Sequence, residues 1–116
     1  RAVPDATVAS ADVALKLMRL VKSPRELALH RIAAQANVEA ALEMTRAVRA
    51  GATLRELRTT FSAAVAARGN RTVFMVLDGV SAEGVDAELR DGQAFLFDAV
   101  SEGAGYHGDF ARTVFV

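Results

Sequence analysis

The sequence predicts an α+β domain in which helices pack on an antiparallel sheet. Two helix-start signals come first, and after Gly69 the apolar period changes from helical to strand-like. Strands that follow one another directly, joined by short turns, pair antiparallel. A length of 116 residues fits one domain at most.

Residues 1–9, with Pro4, read as extended or irregular. Ser10 is placed to cap a short helix over 11–21, with Val13, Leu17, Leu20 and Val21 on one face. Ser23-Pro24-Arg25-Glu26 is a capping box with proline at the first helical position. The helix it opens is expected to run to Ala50, with Gly51 as its left-handed stop. Leu29, Ile32, Ala33, Ala36, Ala40, Met44 and Ala47 form its apolar stripe, rich enough in alanine for close approach to a neighbour. Thr53-Leu54-Arg55-Glu56 repeats the capping logic and opens a helix to Arg68, stopped by Gly69. Its apolar face is Leu54, Leu57, Phe61, Ala64 and Val65.

Strands are expected over 72–77, 93–100 and 106–116, with a loop at 78–92 and a turn at 101–105. Met18, Met44 and Met75 read as core filler, and Arg46, Arg49, Arg55, Arg58 and Arg68 as solvated helix faces.

Formal net charge is zero, so neither nucleic acid nor an anionic membrane is expected as a partner. No apolar run is long enough to span a bilayer, and no secretory signal is evident. With no cysteine there are no disulfides and no thiolate metal sites, which suits a cytoplasmic location. The chain starts at Arg1 rather than Met and finishes on a strand-like run. It is therefore expected to be a fragment of a longer protein.

The chemistry-bearing residues are Asp98 and Asp109. Asp98 sits among apolar neighbours in FLFDAV, where a carboxylate is expensive to bury unless paired or bound to a cation. A two-residue loop at Gly103-Ala104 would set Asp98 directly opposite Asp109. Like charges so placed repel, and a divalent cation between them (Mn, Co, Mg or Zn) relieves that repulsion. The blander reading is a salt-bridged or solvated pair, and one more residue in the turn would shift the register. His107 shares the face of Asp109, as a third ligand or as a rim histidine, whereas Arg112 points to the other face. His30 reads as a helix-surface or partly buried residue, and Glu102 and Tyr106 as flanks of the turn.

The segment LRDGQAFLFDAVSEGAGYHGDFARTVFV resembles the signature of the creatinase, prolidase and methionine aminopeptidase family. Asp98 and Asp109 have that family's eleven-position spacing, Gly105-Tyr106 its Gly-Tyr pair, and Arg112-Thr113 the end of its tail. VKSPRELALHRIAAQAN and GATLRELRTTFSAAVAARG resemble its first and second helices. The resemblance implies a pita-bread fold, a curved antiparallel sheet backed by helices and built from two similar halves. Residues 1–22 would be a linker and short helix, and 23–116 the N-terminal half of the catalytic domain. It further implies two divalent metal ions, Mn, Co or Zn, in the intact parent. Asp98 and Asp109 carry over as ligands, and a His and two Glu from the second half would complete the set. A peptide or dipeptide substrate of the Xaa-Pro type and a homodimer are the expected partners, with the fragment itself inactive. Three departures stand out: no His in residues 78–92, Val100 where the family often has Gly, and Ala111 at the first Thr of the tail. They keep open a non-catalytic pseudoenzyme that binds a peptide or protein partner. A third reading is an unrelated structural α+β domain whose acids are merely polar.

Overall fold

The two capping boxes form as the sequence specifies. In the computed structural model, which describes residues 7–78 and 84–116, Ser23 accepts from the Glu26 amide and the Glu26 carboxylate accepts from the Ser23 amide at 2.7 Å. Thr53 and Glu56 make the same reciprocal pair. These boxes start α2 (Pro24–Arg46) and α3 (Leu54–Ala67). Before them lies α1 (Asp12–Leu20), where the Ser10 hydroxyl accepts from the Asp12 amide although Ala11 is the capping position. The strands are β1 (Arg71–Asp78), β2 (Ala94–Gly103) and β3 (Tyr106–Phe115). The stretch expected to be irregular before Ser10 lies mostly outside the described residues, as do residues 79–83 of the expected loop.

The sheet is antiparallel in the order β1-β2-β3, so the architecture is α+β as expected. One sheet face meets α2 and α3. There Met44, Leu54, Leu57, Phe61, Val65, Leu77, Leu89, Phe95 and Phe97 are almost fully buried. Phe61 meets Phe97 edge-on at 5.6 Å, a contact worth about 0.5–1.5 kcal/mol beyond its buried area. On α2 the buried stripe is Ala33, Ala36, Asn37, Ala40, Ala41 and Met44. Ile32, expected in that stripe, is exposed, and buried Asn37 takes a place the apolar pattern did not give it. The alanines bring the α2 backbone so close that a Cβ built on Gly108 would press into the Ala33 carbonyl.

α2 stops at Arg46 rather than Ala50, because the next amides bond three residues back, Ala47 to Met44 and Val48 to Thr45. Gly51 takes positive φ in the following turn, and its amide donates to the Leu89 carbonyl. Leu54 and Arg55 amides also donate into the loop, which the Arg55–Asp86 pair at 2.7 and 3.0 Å pins to α3. The helix arginines are therefore not all free in solvent. Arg68 joins the two helices through Glu39 at 2.9 Å and Glu43 at 2.6 Å. Met44 is core, but Met18 is 77% exposed. α1 buries none of its residues, and its stripe of Val13, Leu17, Leu20 and Val21 faces no partner among the described residues. No helix among the described residues is long and apolar enough to cross a membrane.

The hairpin turn corrects the sequence expectation. Gly103 pairs with Tyr106, leaving Ala104-Gly105 as the two-residue loop with φ of 52° and 81°. Both central residues at positive φ make it the I′ kind rather than II′. Gly103 stays in the strand, where the Asn70 side chain occupies the space a Cβ would need. The Glu102 carboxylate accepts from the Gly105 amide at 2.8 Å and fastens the loop. Among the described residues Ala104 is the non-glycine residue held at positive φ, at a cost of roughly 1–2 kcal/mol. Ala104→Asn is expected to raise stability by roughly 0.5–1 kcal/mol, because asparagine tolerates this conformation. Urea unfolding followed by circular dichroism measures the change, and an unaltered or lowered midpoint would contradict it.

Candidate functional site

Residues of alternate parity occupy opposite sheet faces, so the register assigns each side chain. Phe95, Phe97, Ala99 and Ser101 point toward the helices and are buried. Leu96, Asp98, Val100 and Glu102 point to the open face. Across β3 they meet Thr113, Ala111, Asp109 and His107, and across β1 Val76 opposes Asp98 while Phe74 opposes Val100.

Asp98 and Asp109 therefore share the open face, as expected, but are not directly opposed. The loop one residue further along sets Asp98 against Ala111 and Asp109 against Val100. The two acids are diagonal neighbours, and such positions lie roughly 7–8 Å apart. Asp98 is half-buried on the central strand between Val76 and Ala111, and Asp109 is exposed on the edge strand. Neither carboxylate has a hydrogen bond or ion pair among the described residues. A half-buried acid with apolar neighbours and no partner is an expensive arrangement. Both carboxylates stand on the open face of neighbouring strands, the side on which a cation could reach either of them. Hard carboxylate oxygens suit a divalent ion of the Mn, Mg, Co or Zn group.

His107 does not complete a triad with them: among the described residues no three or more His, Asp or Glu side chains gather as a metal site. Arg112 points to the other face, as expected, and its guanidinium lies 4.2 Å from the centre of the Phe110 ring. His30 meets Tyr106 edge-on at 4.8 Å, which ties α2 to the start of β3. These two rings, with Lys16, Arg19, Lys22 and His107, line a cleft of about 1000 Å³ beside the hairpin turn, apart from both aspartates.

Sequence reasoning missed Asn37 and Gly108. Asn37 is fully buried on α2, and its side-chain amide donates to the Ala99 carbonyl at 3.0 Å. The signal was present, since an asparagine four after Ala33 and three before Ala40 falls inside the apolar stripe.

The family model for metallopeptidase family M24 matches residues 28–116. The chain belongs to that family. The M24 chain is similar in fold to the prolidase from Pyrococcus furiosus, at 19% identity with a TM-score of 0.80, covering 90% of this chain and 34% of that one. It is likewise similar to the X-Pro aminopeptidase from Thermotoga maritima, at 23% identity and TM-score 0.75, covering 89% and 31%. The proline aminopeptidase P II from Yersinia pestis gives 29% identity and TM-score 0.79, covering 89% and 26%. The M24 chain thus spans about a third or less of the length of these structures. A search of curated proteins finds no match. The pita-bread fold expected from the resemblance is the fold of these neighbours.

Glu102, at the end of the same face, gives a pH test of the hairpin. The Gly105 amide and then the Arg71 guanidinium hold its carboxyl below the ordinary glutamate range. A folded pKa below the unfolded value contributes stability that is complete above about pH 4.3 and is lost as pH falls toward the folded value. Glu102→Gln is expected to lower the melting temperature at pH 7 and to flatten its decline between pH 5 and pH 3, in terms of the linkage slope. Thermal melts across that range decide it, and parallel curves for both proteins would refute the assignment.

Proposed function

We propose that this chain supplies the Asp98 and Asp109 part of a divalent-metal centre in a peptidase acting on short peptides, of the Xaa-Pro dipeptidase or aminopeptidase kind. The observation that carries the reading is the pair itself: two carboxylates on one open sheet face, one half-buried, neither with a partner among the described residues. Membership of a metallopeptidase family supports it.

Residues 1–22 form the approach to the half-domain 23–116. This division is supported by the lack of buried residues on α1 and by a family match that begins at residue 28. The metal count is two, as the resemblance implies, with Mn, Co or Zn as the ions. A His and two Glu on a second half-domain complete the ligand set.

Bound divalent ions supply Lewis acidity and an activated water. The chain contributes the geometry. Asp98 projects from the central strand, hydrogen-bonded on both sides by β1 and β3, so its backbone is held firmly. Asp109 projects from the edge strand, and Val76 and Ala111 flank Asp98 while Val100 lies across from Asp109. The peptide would lie along the open face, against Phe74 and Leu96.

A second reading is favoured by one specific feature, the absence of any histidine in residues 78–92. There the same face binds a peptide or protein partner without turnover. Retention of metal and peptide binding without hydrolysis, in a protein with the complete ligand set, would select it.

Asp98→Asn and Asp109→Asn are each expected to weaken Mn²⁺ binding by at least about tenfold, the lower end of what even outer-shell partners cost. Electron paramagnetic resonance titration of free Mn²⁺ measures this, and unchanged binding in both variants would sink the assignment. The 116-residue chain with metal is expected to show no Xaa-Pro hydrolysis, since two acids can bind an ion but do not make up the ligand set of a catalytic one. Turnover abolished by Asp98→Asn would reverse that conclusion.

The open face also carries Phe74, Val76, Leu96 and Phe115, each at least 40% exposed. Apolar area of this kind drives association at about 25 cal/mol per Å², and a closed two-fold pair is the commonest outcome. Analytical ultracentrifugation is expected to show a homodimer at micromolar concentration, and a monomer of 12.3 kDa throughout would exclude it.

A further inference from the structure

The residues next to the two acids are the points where α2 grips the hairpin. Ala99 follows Asp98, Gly108 precedes Asp109, and both belong to the helix side of the sheet. Asn37 reaches both. Its Nδ2 donates to the Ala99 carbonyl at 3.0 Å, and a Cβ built on Gly108 would come within 2.7 Å of the Asn37 Cβ. One buried side chain therefore touches β2 directly behind the first acid and β3 directly behind the second.

This contact is chemically out of place in its surroundings. Asn37 Oδ1 and Ser101 Oγ are buried without a hydrogen-bond partner among the described residues, and Ser101 is the residue paired with Gly108. Each such atom costs about 1–3 kcal/mol, and a leucine at position 37 would avoid part of that. Local rules are broken in this way mostly where function requires it. β3 is an edge strand, held by the β2 ladder on one side only, so what presses on it from α2 sets its offset from β2. A leucine could fill the space, but it has no directional bond to hold that offset.

We propose that Asn37 is a positioning residue for the metal centre: its amide locks α2 to β2 and seats it on β3, fixing the diagonal separation of Asp98 and Asp109. The proposal rests on the preceding reading of these acids as metal ligands. Looseness of about 1 Å in a supporting shell is enough to spoil such a site. By linkage, if Asn37 favours metal binding, then metal binding tightens the Asn37 contact by the same factor.

The test uses the 116-residue chain with Mn²⁺ and Co²⁺ as probes. Wild type, Asn37→Leu, Asp98→Asn and Leu57→Ala are compared, the last removing a buried α3 side chain that belongs to neither strand of the hairpin. Asn37→Leu is expected to keep its far-ultraviolet circular dichroism, weaken Mn²⁺ binding about tenfold, as outer-shell changes do, and alter the Co²⁺ visible spectrum. Leu57→Ala is expected to melt earlier but to keep both the affinity and the spectrum. Wild-type affinity and spectrum in Asn37→Leu would overturn the proposal. Should that variant not fold, hydrogen exchange of the Asn37 side-chain amide in wild type decides: it slows on saturation with Zn²⁺, and unchanged exchange overturns the positioning role. Equal Mn²⁺ binding by wild type and Asp98→Asn would instead remove the ligand assignment, and the positioning role with it.

Discussion

The close approach of α2 to the hairpin sets the position of everything else. Ala33, Ala36, Ala40 and Ala41 give α2 a nearly flat buried face, and Gly108 gives β3 no side chain at the tightest point. Small residues on both sides let backbones meet where larger ones would hold them apart. Once α2 lies there, α3 can pack beside it, and Phe61 fills the space over Phe97. Arg68 then closes the outer side of the helix pair through Glu39 and Glu43.

The same approach separates structure from chemistry across the sheet. The helix side takes the large apolar residues Phe95, Phe97 and Leu77, which exclude water and make the platform rigid. The other side is left for Asp98 and Asp109 amid a few apolar residues. A carboxylate on the helix side would face full desolvation, whereas one on the open face keeps contact with solvent.

Among the solved structures compared with it, the chain matches only part of each protein. The open face, with its exposed phenylalanines and with acids that have no partner among the described residues, is a surface that gains from a covering element. α1 has a similar unfinished character: its apolar stripe is fully formed, yet nothing among the described residues covers it. Both features lie at the margins of a well-packed core and do not disturb it.

Local chemistry alone determined the helix starts and the strands, and a two-residue turn keeps the two acids on one face. Ser23, Thr53 and their partner glutamates act within one turn, and side-chain alternation along a strand needs no knowledge of its neighbours. The resemblance carried by Asp98, Asp109, Gly105-Tyr106 and Arg112-Thr113 added the family, through motif order rather than geometry. Only the tertiary structure decided the register. Gly103 offered itself as a turn residue, but it stays in the strand with the Asn70 side chain in the space of a Cβ, the loop falls at Ala104-Gly105 and the acids are diagonal. It also decided that Asn37 is buried and Ile32 is not, because the direction from which the sheet meets α2 is a long-range fact absent from any local window of sequence.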